Sequence, residues 1–294
     1  MKRPYVICAP RYGKSAGVRV LYRLCVELEN LGFDACVLAY GRRYRGDDIP
    51  KCRIVKRFTD EMRRDSVVVY PETVWGNPLR AHRVARWVLN KPGVQGGEEH
   101  FSENELVFSW SSKYHPSPHQ LRLDVIDRDI FRDTGDVRTT DAVFVYKGGY
   151  VRETPELRGL PVITMDYPAD RKELAALLRR TRVLYTHDLH TVLAEEAMAC
   201  GAQVRVVTSN GFDIWRPSSE SYDPAVSARQ LAEFVRLTQS DEGLPGNSAQ
   251  DVVRRPFLLV SYIKWCCARL MQLLHVGKVA DRMRMRAVQD IFLR

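Results

Sequence analysis

Two carboxylates flank a predicted strand-to-helix junction in residues 188–201. A strand ends near Asp188, a helix begins near Thr191, and Glu196 follows Asp188 by eight positions. In a parallel sheet, ligands bind beyond the carboxyl ends of the strands, and the first N–H groups of a helix attract phosphate. The Thr191 hydroxyl adds a donor, and the carboxylates could accept hydrogen bonds from two hydroxyl-bearing parts of one extended ligand. These residues predict a site for a ligand such as a nucleotide sugar, in which a diphosphate joins a ribose to a hexose.

Residues 196–201, Glu-Ala-Met-Ala-Cys-Gly followed by an apolar strand, resemble the C-terminal lobe of glycosyltransferase family 4. The family motif is a glutamate, seven residues, a second glutamate, and then alanine and a short run to glycine. Asp188 stands in this chain where the family has the first glutamate. The resemblance implies that Glu196 holds the ribose hydroxyls and that Asp188 contacts the donor sugar. It also implies the two-lobed GT-B fold, and retention of anomeric configuration with the leaving phosphate oxygen helping to deprotonate the acceptor.

Further segments share the resemblance. Lys147 and Gly148 follow the first strand of the second lobe, where the family carries basic residues for the diphosphate. Gly13 and Gly17 resemble the family's glycine-bearing loop that closes over the phosphates. With the helix N-terminus these groups would stabilise the leaving diphosphate, so no cofactor is required. The catalytic candidates are Lys147, Asp188 and Glu196. The candidates for binding the donor, for which a UDP-sugar is expected, are Gly13, Gly17, Lys147, Gly148, Asp188, His190, Thr191 and Glu196.

The first lobe supplies candidates for the acceptor side. Residues 71–78 resemble a loop facing the cleft in related bacterial transferases, so Glu72, Trp75 and Asn77 are expected to face the acceptor. A purely structural role stays open for four of these candidates. Glu72 could lie in a turn, Asp188 could cap a helix, Lys147 could lie in a surface turn, and Glu196 could lie on a solvated helix face. His187 and His190 lie beside Asp188 without a third ligand at metal-binding spacing, so no metal is expected.

Strand and helix patterns alternate along the chain. Short apolar runs predict buried strands at residues 5–9, 36–40, 66–70, 106–110, 121–126, 142–146, 161–165, 182–185 and 203–208. Helical spacing predicts helices at residues 18–31, 79–89, 171–180 with Asp170 as N-cap, 191–200 and 224–238, and a helical pair in the tail. This alternation is typical of a doubly wound α/β fold. We expect two Rossmann-like lobes facing a central cleft, residues 1–135 for the acceptor and 136–250 for the nucleotide sugar, and a helical tail, 251–294, that crosses back to the first lobe.

The distribution of charge bears on the acceptor. The chain has a formal net charge of +9, and residues 1–65 carry fifteen Lys or Arg against eight Asp or Glu, while residues 254–294 carry nine against two. Basic surfaces attract polyanions and anionic lipid, although they can also serve only to keep a protein in solution. The expected acceptor is a glycan or a lipid-linked glycan at an anionic membrane surface. The alternatives are hydroxymethylated pyrimidine bases in DNA, as for some phage enzymes of this general fold, and a non-catalytic protein that binds nucleotide sugar or nucleic acid.

Composition argues against other classes of protein. No run of about 18 apolar residues occurs, so no transmembrane segment is expected. The apolar run at residues 5–9 is not followed by the small-residue cleavage site of a signal peptide. We therefore expect a cytoplasmic protein, lying at the membrane surface if its acceptor is lipid-linked. The seven cysteines form no C-x-x-C pair and are expected to be reduced core residues.

Overall fold

The computed structural model describes residues 2–13, 15–40, 50–145, 154–165, 167–188, 191–216, 222–242 and 244. The candidates Lys147, Gly148 and His190 and the predicted tail, 251–294, lie outside these residues. The described residues form two compact units, one made of residues 2–123 and 224–244 and the other of Asp124–Asp223.

The elements alternate as expected for a mixed α/β protein. The strands are β1 (Tyr5–Pro10), β2 (Ala35–Tyr40), β3 (Ile54–Val55), β4 (Val67–Pro71), β5 (Arg83–Val88), β6 (Leu106–Ser109), β7 (His119–Gln120), β8 (Thr140–Phe144), β9 (Val162–Ile163), β10 (Thr181–Thr186), β11 (Gln203–Thr208) and β12 (Gly211–Ile214). The α-helices are α1 (Ala16–Asn30), α2 (Asp60–Asp65), α3 (Arg171–Arg179), α4 (Val192–Ala199) and α5 (Pro224–Gln239). Most of the predicted strands and helices are confirmed to within a few residues at their ends.

The first unit contains a seven-stranded sheet in the order β3-β2-β1-β4-β5-β6-β7. Every neighbouring pair runs parallel, from β2 with β3 at one edge to β6 with β7 at the other. Its central strands are apolar on both faces, as a sheet covered on both sides requires. After β1, the chain adds β2 and then β3 on one side of it, and it then adds β4 to β7 in order on the other side. The switch point of this Rossmann-like sheet therefore lies between β1 and β4, whose carboxyl ends flank the place where such sheets bind ligands.

The predicted helix at residues 79–89 is wrong, because residues 83–88 form β5 in the middle of the sheet. Val84, Trp87 and Val88 are all fully buried, so both faces of this strand are covered. A strand that is buried on both faces loses the alternation that distinguishes it from a helix. The predicted strand at 121–126 is also wrong. The strand pairing lies two residues earlier, at His119–Gln120, and Leu121 follows it as buried extended chain.

Helix α5 belongs to the first unit, whereas the sequence placed residues 224–238 in the second lobe. Tyr5 of β1 stacks on Phe234 with ring centroids 5.9 Å apart, and the hydroxyls of Tyr5 and Thr238 are hydrogen-bonded at 2.7 Å. The main-chain N–H of Arg3 also donates to Oε1 of Gln239 at 2.8 Å. The first unit therefore ends at Leu123 and resumes at Pro224, instead of ending at residue 135 and resuming at 251.

The second unit contains a five-stranded sheet in the order β12-β11-β10-β8-β9. Strands β8 to β11 are parallel, and β12 adds an antiparallel edge. The Asp170 carboxylate caps α3, as predicted, by accepting hydrogen bonds from the main-chain N–H groups of Lys172 and Glu173. Because β8 lies between β9 and β10, the switch point of this sheet falls between β8 and β10.

Candidate functional site

Asp188 lies at the switch point of the second sheet. Phe144 and Thr186 are the last residues of β8 and β10, and they are partners in the parallel register. Asp188 follows Thr186 by two residues, and its main-chain N–H donates to the Thr186 hydroxyl at 3.0 Å. Its side chain is half-buried. The structure thus places this carboxylate at the carboxyl edge of the sheet, where a Rossmann-like sheet binds its ligands.

Thr191 begins the helix that follows this strand. It is the N-cap of α4, and its hydroxyl accepts a hydrogen bond from the main-chain N–H of Leu193 at 3.3 Å. The sequence left open that Asp188 caps this helix. The N-cap is Thr191 instead. A hydroxyl that accepts one hydrogen bond can still donate its own proton to a ligand.

Glu196 is buried within α4, with 2% of its surface exposed, so the alternative of a solvated helix residue is wrong. Its Oε1 atom pairs with the guanidinium of Arg171 at 2.8 Å. Arg171 is the first residue of α3 and lies over the ring of Phe131, with its guanidinium carbon 4.5 Å from the centroid. Sequence patterns did not reveal this pair, because they do not show which arginine meets which glutamate. A carboxylate has about four acceptor positions, so an ion pair at one oxygen is compatible with additional hydroxyl donors.

Gly201 has a structural explanation at the end of α4. Its φ of +86° is the left-handed conformation in which glycine ends many helices. The N–H of Gly201 donates to the carbonyl of Met198, and the N–H of Ala202 donates to the carbonyl of Ala197. This is the Schellman pattern, so the glycine that completes the motif-like segment stops the helix and turns the chain toward β11.

Glu72 occupies the corresponding edge of the first sheet. It directly follows β4, one of the two strands that flank the switch point, and only 3% of its surface is exposed. Its Oε2 atom accepts a hydrogen bond from the main-chain N–H of Leu89, just after β5, at 2.9 Å. Burial raises the pKa of Glu72 to about 7, although main-chain hydrogen bonds and the charge of Arg86 act in the opposite direction.

Arg86 fixes the loop that carries Glu72. This fully buried arginine on β5 forms a two-pronged ion pair with Glu105, at 2.7 and 2.8 Å. Its remaining N–H groups donate to three carbonyl oxygens of the loop, those of Pro71, Val74 and Gly76. The crossover from β4 to β5 contains no helix, so its buried carbonyls need donors from elsewhere. The sequence did not suggest this role, because the segment around Arg86 resembled an amphipathic helix.

Asn77 is a structural residue, and its expected place on the acceptor side is not supported. Its side chain is buried and bonds to both the N–H and the carbonyl of Ala81, at 2.9 and 2.8 Å. Its Oδ1 atom also accepts a hydrogen bond from the Tyr70 hydroxyl at 3.1 Å. These bonds use the amide to hold the turn before β5. Trp75, in contrast, is 37% exposed on the same loop and can contact a ligand.

The two predicted loop glycines lie beside the same edge. Gly17 is in the first turn of α1, and a Cβ added to it would lie 4.0 Å from the Cδ1 atom of Leu89, the residue that bonds Glu72. Neither Gly13 nor Gly17 has a positive φ, and both have space for a side chain. The fold of the described residues therefore does not itself require glycine at these positions. Gly17 and Glu72 thus both lie next to Leu89, a proximity that the sequence did not predict.

A separate cleft of about 360 Å³ in the second unit is lined by residues of α3 and of the segment from Asp129 to Asp136. Both acidic and basic side chains line it, among them Asp136, Lys172 and Arg179. Arg179 and Asp136 approach to 3.4 Å across it, so its charges largely compensate one another. None of the predicted site residues that the structure describes lines this cleft.

Comparison of the chain with models of known protein families and with curated protein sequences finds no match. Within the described ranges, no group of three or more His, Cys, Asp or Glu side chains is arranged to hold a metal ion. No helix in that part of the chain is long and apolar enough to cross a membrane. The function is therefore inferred from the geometry of the two sheet edges and from the resemblance of residues 188–201.

Proposed function

We propose that this protein is a glycosyltransferase that moves a sugar from a nucleoside-diphosphate sugar to an acceptor hydroxyl. In this proposal the two units are the lobes of a GT-B fold, and the second unit binds the donor. One observation carries the proposal: Asp188 lies at the switch point of a Rossmann-like sheet, and the helix that follows presents the buried carboxylate of Glu196. Two carboxylates around a strand-to-helix junction suit a ligand with a hydroxyl-bearing group at each end and phosphates between them.

Each group has a role in the transfer. Asp188 accepts hydrogen bonds from the donor sugar, and Glu196 accepts them from the ribose. The N-terminus of α4 and Lys147 offset the negative charge that grows on the leaving diphosphate. We take UDP as the nucleotide and propose that no metal ion takes part.

Arg171 adds a constraint that the sequence did not reveal. It neutralises Glu196 in a protein interior where an unpaired carboxylate would be costly, and it fixes the direction of the carboxylate. Replacement of Glu196 by alanine would leave the Arg171 charge buried without its partner, so loss of activity in that variant would be ambiguous. Glu196→Gln retains the shape and one hydrogen-bond acceptor, and it is the better test.

The first unit is proposed to bind the acceptor, through the loop that carries Glu72 and Trp75. A glycan or a lipid-linked glycan is the acceptor class we favour, since exposed tryptophan often stacks on sugar rings and on lipid headgroup regions. The basic residues toward both ends of the chain favour an acceptor carried on an anionic surface. Hydroxymethylpyrimidine DNA is the competing acceptor and forms a separate arm of the assay.

The test is release of UDP from a panel of UDP-sugars, with glycan, lipid-linked glycan and hydroxymethylpyrimidine DNA offered as acceptors. The wild-type protein should turn over at least one donor, and mass spectrometry should find the sugar on one acceptor. Asp188→Asn and Glu196→Gln should each lower kcat/KM by about 100-fold, the effect of one charge-assisted hydrogen bond. Asp213→Asn, an exposed aspartate on β12, is the matched control and should behave as wild type. Absence of turnover with every donor would exclude the proposed activity.

A further inference from the structure

Two cysteine thiols meet beside β3, at the edge of the first sheet. Cys25 lies in the middle of α1 and is fully buried, and Cys52 lies on the chain just before β3 and is half-buried. A hydrogen bond joins their side chains. Both residues belong to the first unit, so the contact is a property of that unit alone.

The local structure explains why these two side chains meet. Cys25 lies on the buried face of α1, and this helix packs on β1 and β2. Strand β3 runs parallel to β2, with Ile54 beside Val37. The N–H of Val37 also donates to the carbonyl of Arg53, the residue after Cys52, at 2.8 Å. These bonds hold the segment that carries Cys52 against β2, the strand on which α1 also packs.

The hydrogen bond makes Cys52 the more reactive thiol of the pair. The bond from Cys25 lowers the pKa of Cys52, while burial and the charge of Glu29 act in the opposite direction. The same bond raises the pKa of Cys25, so the proton stays on Cys25 when the pair ionises. The thiolate is the nucleophilic form of cysteine, and Cys52 is also the residue of the two that solvent reaches.

The other cysteines of the described chain lack this combination. Cys8, Cys36 and Cys200 are all buried, and burial raises the pKa of each. Within the described ranges, no further His, Cys, Asp or Glu side chain completes a metal site with Cys25 and Cys52. Two thiols in contact without a third ligand suit oxidation to a disulfide better than the binding of a metal ion.

We propose that Cys25 and Cys52 form an oxidative modification site, at which hydrogen peroxide converts the two thiols into a disulfide. The Cys52 thiolate attacks one peroxide oxygen, the O–O bond breaks, and hydroxide leaves with the electron pair. Cys52 is then a sulfenic acid, and the hydroxide takes the Cys25 proton and becomes water. The Cys25 thiolate attacks the Cys52 sulfur and forms the S–S bond. The second hydroxide leaves and takes up the proton that Cys52 lost on ionising, so two thiols are oxidised, one peroxide is reduced and two water molecules form.

The disulfide requires only a small rearrangement. Its sulfur atoms must lie about 2.05 Å apart, and thiols that share a hydrogen bond are already in contact. Cys25 is fixed within a helix of fifteen residues, whereas Cys52 lies next to a two-residue strand at the edge of the sheet. Cys52 is therefore the residue that moves. The product ties the chain before β3 to the middle of α1.

The experiment treats the folded protein with hydrogen peroxide at pH 7, blocks the remaining thiols with N-ethylmaleimide, and maps the peptides by mass spectrometry without reduction. A cross-linked peptide that contains Cys25 and Cys52 should form, and dithiothreitol should remove it. Cys25→Ser should form no cross-link and should instead accumulate Cys52 as a sulfenic acid, which dimedone labels. Cys36→Ala, which removes a buried cysteine outside the pair, is the matched control and should still form the cross-link.

The wild-type peptide map decides the proposal even if a variant fails to fold. The proposal is overturned if Cys25 and Cys52 both carry the maleimide after treatment, or if Cys52 becomes a sulfinic or sulfonic acid without pairing. A disulfide from either residue to another cysteine, Cys266 and Cys267 included, overturns it as well. A cross-link that forms only in urea would belong to the unfolded chain and would also overturn it. No nucleotide sugar enters the measurement, so its result is independent of the proposed sugar transfer.

Discussion

At the scale of single residues, the buried side chains of Glu72, Glu105 and Glu196 differ in whether an arginine compensates their charge. Glu105 and Glu196 are compensated by arginines, so their charges stabilise local geometry. Glu72 is not compensated, and its pKa of about 7 reflects the cost of burying its charge. Sequence spacing identified Glu72 and Glu196 as candidates but could not distinguish these environments, because the arginines come from distant positions in the chain.

The raised pKa of Glu72 has a consequence for stability. The group has an ordinary pKa of 4.5 in the unfolded chain and about 7 in the folded protein. Below pH 4.5 both states are protonated, and between these values the unfolded state loses its proton first. The folded protein is therefore destabilised as pH rises through this window, by about 3 kcal/mol in total, since one pKa unit is worth about 1.4 kcal/mol.

We expect Glu72→Gln to remove this loss. Its free energy of unfolding relative to wild type should increase by about 3 kcal/mol between pH 4.5 and pH 8. Urea denaturation followed by circular dichroism at several pH values measures the difference, with Glu103→Gln as a control that should show no such trend. A constant difference between Glu72→Gln and wild type across this range would mean that the carboxyl group does not titrate near neutrality.

At the scale of elements, the strands and helices with one clear pattern were predictable. The apolar runs of β1, β2 and β4 and the capped amphipathic helix α3 are all found where the sequence indicated. Strand β5 was not predictable, because its apolar residues face both sides of the sheet and it carries a buried arginine. The crossovers that surround it contain no α-helix, so the main-chain contacts that organise this edge have no periodic signal in the sequence.

The contact between Gly97 and Glu72 can be tested against a neighbouring glycine. Gly96 and Gly97 both have positive φ values, but a Cβ at Gly96 would meet no atom within 4 Å, whereas a Cβ at Gly97 would overlap the Glu72 carbonyl. Gly96→Ala should cost about 1–2 kcal/mol from backbone strain alone. Gly97→Ala should cost roughly 3–5 kcal/mol, because the loop must also move. Equal costs in thermal or urea denaturation would show that the loop does not pack as described.

At the scale of the whole molecule, the sequence predicted two α/β units, and the contacts in the structure divide the described chain at Leu123 and Pro224. The limits depend on where α5 packs, and this is decided by contacts between Phe234 and Tyr5 that lie more than two hundred residues apart in the chain. Each unit has its own switch point with a carboxylate beside it, Asp188 in one and Glu72 in the other. This division underlies the proposal that the second unit binds the donor and the first unit presents the acceptor.

The most direct test of this account is equilibrium binding of UDP, measured by isothermal titration calorimetry in the absence of any acceptor. We expect the wild-type protein to bind UDP, Glu196→Gln to bind it at least 10-fold more weakly, a loss of about 1.4 kcal/mol, and Glu72→Gln to bind it as tightly as wild type. A wild-type protein that does not bind UDP, or a Glu196→Gln variant that binds it with unchanged affinity, would contradict the assignment of the donor site to the second unit.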